Sequence, residues 1–326
     1  MERGTALVRS YISGVSFRVG LPAPIEGLFA SPPGDAPGID FFRARGLQTY
    51  CAQVESTREM CRTTIQDAMR KADVHPASLG AVVVDADNWH CTPEDRIQIL
   101  ESLLGAGIAR VPVIGVSLQT CSGCMTAIGL ADRLVRTDEE RKPVLVLLCG
   151  RAPPGSSRID ARRATVLSDG VSACVVSATP GMFELLATTT RTNLEVARSA
   201  AAGEKAAISL VLSYRDIAAV ANTLYEAAQI TPEQIATLFC TNGNLMYASF
   251  AARAAGVIGS RTYIENVAAY GHVFSCDHLI NLVTYGANAE FQPGQKYLLV
   301  GWSPYVFSGA ILSYVGGANR QKCLSA

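Results

Sequence analysis

Apolar residues along the chain follow two rhythms. Some form short unbroken runs, and others return every three to four positions. Unbroken runs at 80–84, 111–116, 144–149, 170–178, 183–190, 235–240, 296–302 and 310–315 predict strands. Helical spacing predicts helices at 56–72, where Met60, Thr64, Ile65, Ala68, Met69 and Ala72 share a face, and at 94–104, 123–135, 214–228, 245–255 and 276–285. Residues 1–50, rich in Gly and Pro with little periodicity, read as loop. Strands that are apolar on both faces need cover on both, so alternating strands and helices predict an α/β fold with sheets sandwiched by helices. After Pro180-Gly181 the same order of elements restarts. A duplicated layered fold is expected, with halves at 1–178 and 179–326.

Composition narrows the function. At 326 residues the chain is too long for a disulfide-stapled module and long enough for two halves with substantial cores. Lys+Arg and Asp+Glu number 28 each, which leaves no global field to hold nucleic acid. Charged residues make up only 17%, against 49% hydrophobic, pointing to a large core, an oligomer interface or both. The ten cysteines are scattered and several lie inside apolar runs, as buried reduced thiols do. No signal-peptide pattern and no apolar run near the ~20 residues of a membrane span are present. The expected location is the cytoplasm.

The sharpest local feature is Val116-Ser117-Leu118-Gln119-Thr120-Cys121-Ser122-Gly123-Cys124, where a predicted strand gives way to a predicted helix. A Cys there lies near the helix N-terminus, whose unpaired N–H groups and dipole stabilise a thiolate. Ser122 and Gly123 permit a tight bend and close approach of a substrate. Cys121 is thus a candidate nucleophile. The same spacing also suits two core thiols, or a redox or metal pair, although no second Cys-x-x-Cys accompanies it.

Thr120-Cys121-Ser122-Gly123-Cys124 resembles the Ala-Cys-Ala-Gly-Phe segment of the ketoacyl synthase III type of condensing enzymes, in the thiolase-like superfamily. The likeness continues in order. Leu167-Ser168-Asp169-Gly170-Val171-Ser172-Ala173 is similar to the family's Phe-Gly-Asp-Gly-Ala-Gly-Ala. Phe239-Cys240-Thr241-Asn242-Gly243-Asn244 falls where Val-Pro-His-Gln-Ala-Asn is expected, and Tyr270-Gly271-His272 where His-Gly-Asn is expected. Residues 301–310 take the place of a terminal Gly-rich loop. The resemblance implies the five-layered α-β-α-β-α thiolase-like fold.

It also implies a catalytic set, which here is altered. The family's Cys-His-Asn reads Cys121, Thr241 and His272. A Thr hydroxyl can donate a hydrogen bond but cannot titrate near neutrality or carry positive charge. Preorganised donors facing an enolate are each worth about 10²–10³ in rate, so decarboxylative condensation should suffer more than acyl loading. A Cys121/His272 dyad would still accept an acyl group and activate an incoming hydroxyl or amine. The oxyanion hole is expected from the Cys121 N–H and a terminal-loop N–H. Ser303 is the candidate for the second, since Pro304 has none.

Asp87 stands close to the catalytic Glu of members similar to hydroxymethylglutaryl-CoA synthase, and could deprotonate an acceptor. Equally, Asp85 and Asp87 could merely end a strand. Asn244 matches a structural Asn of the family, His278 falls in the following helix and His75 in a surface turn. The family's coenzyme A grip is incomplete: Arg43 and Arg45 remain without the full motif, so an acyl carrier protein could replace acyl-CoA as donor. Arg158, Arg162 and Arg163 could meet that acidic carrier. No cofactor or metal is expected beyond the thioester substrate. The function expected is a Cys-dependent acyltransferase of specialised, polyketide-related biosynthesis, acting on a small-molecule acceptor as a homodimer. Alternatives are a ketosynthase III-type carbon–carbon condensation and a catalytically weak subunit of a heterodimer.

Overall fold

A computed structural model describes residues 8–29, 37–88, 93–160, 164–201 and 206–316, with the side chains of 87–88, 199–201 and 206–209 outside the described set. The first half runs β1 (Tyr11–Val19), β2 (Leu21–Pro24), α1 (Ile39–Arg43), β3 (Thr49–Ala52), α2 (Thr57–Ala72), β4 (Ala81–Asn88), α3 (Pro93–Gly105), β5 (Val113–Val116), α4 (Gly123–Thr137), β6 (Val144–Gly150) and β7 (Gly170–Ser177). The second runs β8 (Phe183–Thr192), α5 (Leu194–Ala201), α6 (Ala206–Ala228), β9 (Ile235–Cys240), α7 (Leu245–Ala254), β10 (Thr262–Tyr263), α8 (Glu265–Ala269), α9 (Asp277–Asn288), β11 (Lys296–Trp302) and β12 (Val306–Tyr314).

The strand order is β10-β9-β11-β12-β8-β1-β7-β6-β4-β5. Read outward from the centre, β1-β7-β6-β4-β5 and β8-β12-β11-β9-β10 repeat one another. In each, the first two pairings are antiparallel and the last two parallel. Among the described residues the two half-sheets join edge to edge through two β1–β8 residue pairs, Tyr11↔Glu184 and Ile12↔Phe183.

The unbroken apolar strands feed separate cores because successive side chains point to opposite faces. Val82, Leu145 and Leu147 pack against Met60, Ile65 and Met69 of α2 and Ile99 and Leu103 of α3 on the outer face. Their neighbours Val83, Val146 and Leu148 turn inward to α4 and α9, where they share a core with Leu299, Ala310 and Leu312 of the second half. Leu298, Val300 and Ile311 face outward again, onto Ile217, Val220 and Leu224 of α6. Two outer cores and one middle core that surrounds α4 and α9 result, the α-β-α-β-α arrangement expected. Each such Val or Leu contributes about 1.5–3 kcal/mol when fully buried.

The reading of residues 1–50 as loop is corrected. β1 is a central strand of the assembled sheet, and β2 pairs antiparallel with β3 in a separate two-stranded sheet. Its signal is weak because its sequence carries two Ser and a Gly. Gly14 (φ +60°) sits in an irregularity between Ser13 and Ser16, where a Cβ would stand 2.0 Å from the Ala68 carbonyl oxygen of α2. Backbone contact with α2 thus replaces the side chain that would have marked the strand. α2 itself begins as expected, with the Ser56 hydroxyl accepting from the Glu59 N–H.

Candidate active site

Cys121 lies in a short 3-10 turn, Thr120–Ser122, between β5 and the first residue of α4. The turn is forced tight: Leu118 and Thr120 both adopt left-handed backbone conformations (φ +62° and +47°). Gly123 then starts α4 against the buried Asp85 carboxylate, where a Cβ would come within 1.8 Å of Asp85 Oδ2. Cys121 and Cys124 diverge from there. Cys124 is fully buried in the middle core, whereas Cys121 lines a cavity of about 320 Å³.

Across that cavity stands His272, whose Nε2 lies 3.0 Å from Cys121 Sγ. Its backbone is pinned to the other half of the chain: His272 N–H donates to Val166 O (3.0 Å), and His272 O accepts from Ser168 N–H (2.9 Å). Gly271, with φ +65°, makes this close approach possible, since a Cβ would meet the carbonyls of Val166 and Thr49 at 3.0 and 3.1 Å. The Leu167-Ser168-Asp169-Gly170 segment therefore braces the histidine rather than entering the chemistry.

The His272 ring is oriented by a residue that sequence reading missed. Nδ1–H donates to Asp277 Oδ2 at 2.7 Å, which fixes the ring's orientation and turns Nε2 toward the Cys121 sulfur. Asp277, the first residue of α9, is fully buried. Its carboxylate also accepts from the Val273 and Asn242 backbone N–H groups, both at 2.7 Å. Burial alone would lower the basicity of His272, but the charges of Cys121 and Asp277 on either side of the ring outweigh it and hold the imidazolium well above its ordinary range. An Asp five residues after a His, directly at a predicted helix start, was the available signal.

Thr241, at the turn after β9, lines the same cavity. It is buried, and its Oγ1 has no hydrogen-bond partner among the described residues. Ser303 also lines the cavity, but the proposed oxyanion role of its N–H is corrected: that N–H donates to Val306 O (2.8 Å), inside a turn closed by Val306 N–H to Ser303 Oγ (3.1 Å). Trp302 packs tilted against Tyr247 and edge-on against Phe250, at ring distances of 5.2 and 5.4 Å, giving this wall an aromatic filling. Asp87 lies on β4, but its side chain is outside the described residues, as are Arg162 and Arg163.

Arg158 is corrected as a carrier-docking residue. It is largely buried and pairs with Asp169, at 2.6 Å from Nη2 to Oδ2. Arg43 pairs with Glu26, and Arg45 stacks over the Phe41 ring at 3.4 Å. Asn244 caps α7, its Oδ1 accepting from Tyr247 N–H at 2.9 Å. His278 lies in α9 as expected. It is buried, its Nε2–H donates to Val300 O (3.0 Å), and desolvation pulls its basicity down. His75 caps an exposed turn.

Among the described residues no group of three potential ligands could hold a metal ion, and no helix is long and apolar enough to cross a membrane. A sequence profile for the C-terminal region of 3-oxoacyl-[acyl-carrier-protein] synthase III matches residues 225–313. No curated protein matches the chain by sequence. Solved structures match over nearly its whole length. ChlB3, named as an acyltransferase, superposes with a TM-score of 0.84 at 19% identity, covering 96% of this chain and all of its own. The 3-oxoacyl-[acyl-carrier-protein] synthase III of Aquifex aeolicus gives 0.76 at 15%, covering 94% and 100%. The priming β-ketosynthase of the R1128 polyketide pathway gives 0.72 at 16%, covering 94% and 96%. The chain thus has the fold of these proteins over nearly its whole length, and its residues 225–313 match the synthase III profile.

Proposed function

We propose that the chain is an acyltransferase that carries its acyl group as a thioester on Cys121. The observation that carries the reading is the unbroken line Cys121 Sγ, His272, Asp277, with contacts of 3.0 and 2.7 Å at the base of one cavity. The Cys121 thiolate attacks the carbonyl carbon of an acyl thioester borne by coenzyme A or by an acyl carrier protein. A carbon–sulfur bond forms to Cys121, and the donor's carbon–sulfur bond breaks. His272 returns its Nε2 proton to the departing thiolate. In the second half-reaction His272 Nε2 takes the proton of an acceptor hydroxyl or amine as that atom attacks the acyl carbon, and Cys121 leaves as thiolate. Asp277 touches neither substrate and keeps the imidazole in one tautomer. The Cys121 N–H, beside the α4 N-terminus, supports the oxyanion in both steps.

The profile match and the synthase neighbours favour a second reading, in which a carbon nucleophile takes the acyl group. Thr241 in the cavity weighs against decarboxylative condensation, because a hydroxyl supplies one donor and no charge. Incubation with acyl thioesters, read by intact-protein mass spectrometry, should add the acyl mass at Cys121; no adduct with any donor would reject both readings. Chasing the acylated protein with alcohols, amines and malonyl thioester separates them: ester or amide products support transfer, and a β-keto product supports condensation.

The oligomer proposed is a homodimer through the free edge of β5. Exposed Val113 lies on that edge, with exposed Ile97, Leu100 and Leu104 on α3 nearby. Light scattering should give twice the chain mass, and a monomer would remove this part of the reading.

A further inference from the structure

Asp277 receives the Asn242 N–H on the same oxygen that accepts from His272, so the turn after β9 tunes the carboxylate. Three buried asparagines hold that turn. The side-chain amides of Asn242 and Asn281 pair reciprocally, each Nδ2 donating to the other's Oδ1 at 3.0 Å. Asn281 Nδ2 gives its second hydrogen to Cys240 O (3.0 Å), and its Oδ1 also accepts from Asn266 Nδ2 (2.7 Å), whose remaining hydrogen goes to Thr284 Oγ1 (2.7 Å). Asn281 is 0% exposed, Asn242 1% and Asn266 2%. Every donor and acceptor of the Asn281 amide is therefore used, and no water is needed to satisfy it.

Asn281 stands four residues after Asp277, on the same face of α9. One helix turn thus presents both the carboxylate that orients His272 and the amide that grips the loop donating to that carboxylate. The same loop carries Thr241 into the cavity. We infer that Asn281 is a positioning residue: it clamps the Thr241-Asn242 turn onto α9, and so sets how strongly Asp277 holds the His272 imidazolium and where the Thr241 hydroxyl sits. An apolar side chain of the same size would leave the Cys240 carbonyl and the Asn242 amide unpaired, and the turn would leave α9 to find water.

The inference rests on the proposed role of the Cys121, His272 and Asp277 line, and the test keeps the two apart. Full-length wild type, Asn281→Leu and Asn281→Ser are alkylated with iodoacetamide across pH, and the Cys121 peptide is followed by mass spectrometry; melting temperatures and acyl-transfer kinetics are measured on the same samples. Expected is an alkylation profile displaced by about one pH unit in the variants, toward that of Asp277→Asn. A fall of about 10-fold or more in kcat, with KM nearly unchanged, should accompany it. Thr284→Val, which cuts only the far end of the network, should lower the melting temperature and leave the profile in place. If both Asn281 variants melt earlier yet keep the wild-type profile and kcat, Asn281 only supports the fold and the inference is overturned. Should the leucine variant not fold, the serine variant decides alone. A wild-type protein that takes up no acyl mass at Cys121 from any thioester would remove the acyl-enzyme reading and this inference together.

Discussion

The two halves place the same device at equivalent points and arm it differently. Each middle-layer helix is preceded by a one-turn 3-10 segment, Thr120–Ser122 before α4 and Phe274–Cys276 before α9. Each segment opens on a residue in left-handed conformation, Thr120 at +47° and Phe274 at +56°, and both line the cavity. The following position is Cys121 in one half and Ser275 in the other, and the first helical residue is Gly123 in one and Asp277 in the other. Both helix N-termini favour negative charge. In the first half that preference serves a thiol facing the cavity, with Asp85 packed behind it; in the second it serves a buried carboxylate that never meets the cavity directly. The two halves thus hold two anion-favouring corners, one seating the proposed nucleophile and the other the carboxylate that supports its proposed base.

Exchanging the arms should break the site in graded steps. Cys121→Ala removes the bond-forming atom and should cost about 10⁴-fold or more in turnover, with no acyl mass on the protein. Asp277→Asn keeps the shape but frees the imidazole tautomer, and should cost about 10²–10⁴-fold in the rate of Cys121 acylation by stopped flow. That variant also tests a pH effect. His272 is more basic in the folded chain than unfolded, so its contribution to stability is complete below the unfolded value and fades as pH rises through the raised folded value. Denaturant titrations should show this alkaline loss in the wild type and a smaller one in Asp277→Asn.

Gly123→Ala pushes a methyl into Asp85, with Oδ2 at 1.8 Å, and should destabilise the chain by about 1–3 kcal/mol by chemical denaturation while displacing Cys121. The smallest effect is expected at Thr241. Thr241→Ala should slow transfer less than about 10-fold, for want of one neutral hydrogen bond. Thr241→His should raise β-keto product from malonyl thioester above the wild-type level, measured by chromatography.

Much of this comparison was legible in the chain. Cys121 announced itself by position, because an apolar run, a small-residue bend and a helical stretch leave few places for a Cys between them. His272 came through the ordered motifs around it. Asp277 did not, because Cys276-Asp277-His278 reads as an ordinary helix start, and only the fold shows its carboxylate turned back onto His272. Ser303 failed for a related reason: whether an N–H is free depends on the turn it sits in, and here Val306 O takes it. β1 was hidden by Gly14, whose missing side chain is itself the packing contact with α2. Strand and helix periods report burial, whereas the aim of a hydrogen bond is set by distant backbone.

The seam between the half-sheets, two residue pairs at Tyr11 and Ile12, carries a mechanical consequence. So short a seam cannot fix the distance between a sulfur on one side and an imidazole on the other; that spacing must be held by α4 and α9 sandwiched in the interior and by the Val166–Ser168 clasp on His272. Cutting the backbone between β7 and β8 would leave each piece with all five of its strands of the large sheet, and the spacing of Cys121 and His272 would then report on how firmly the inner helices alone can mate two separate polypeptides.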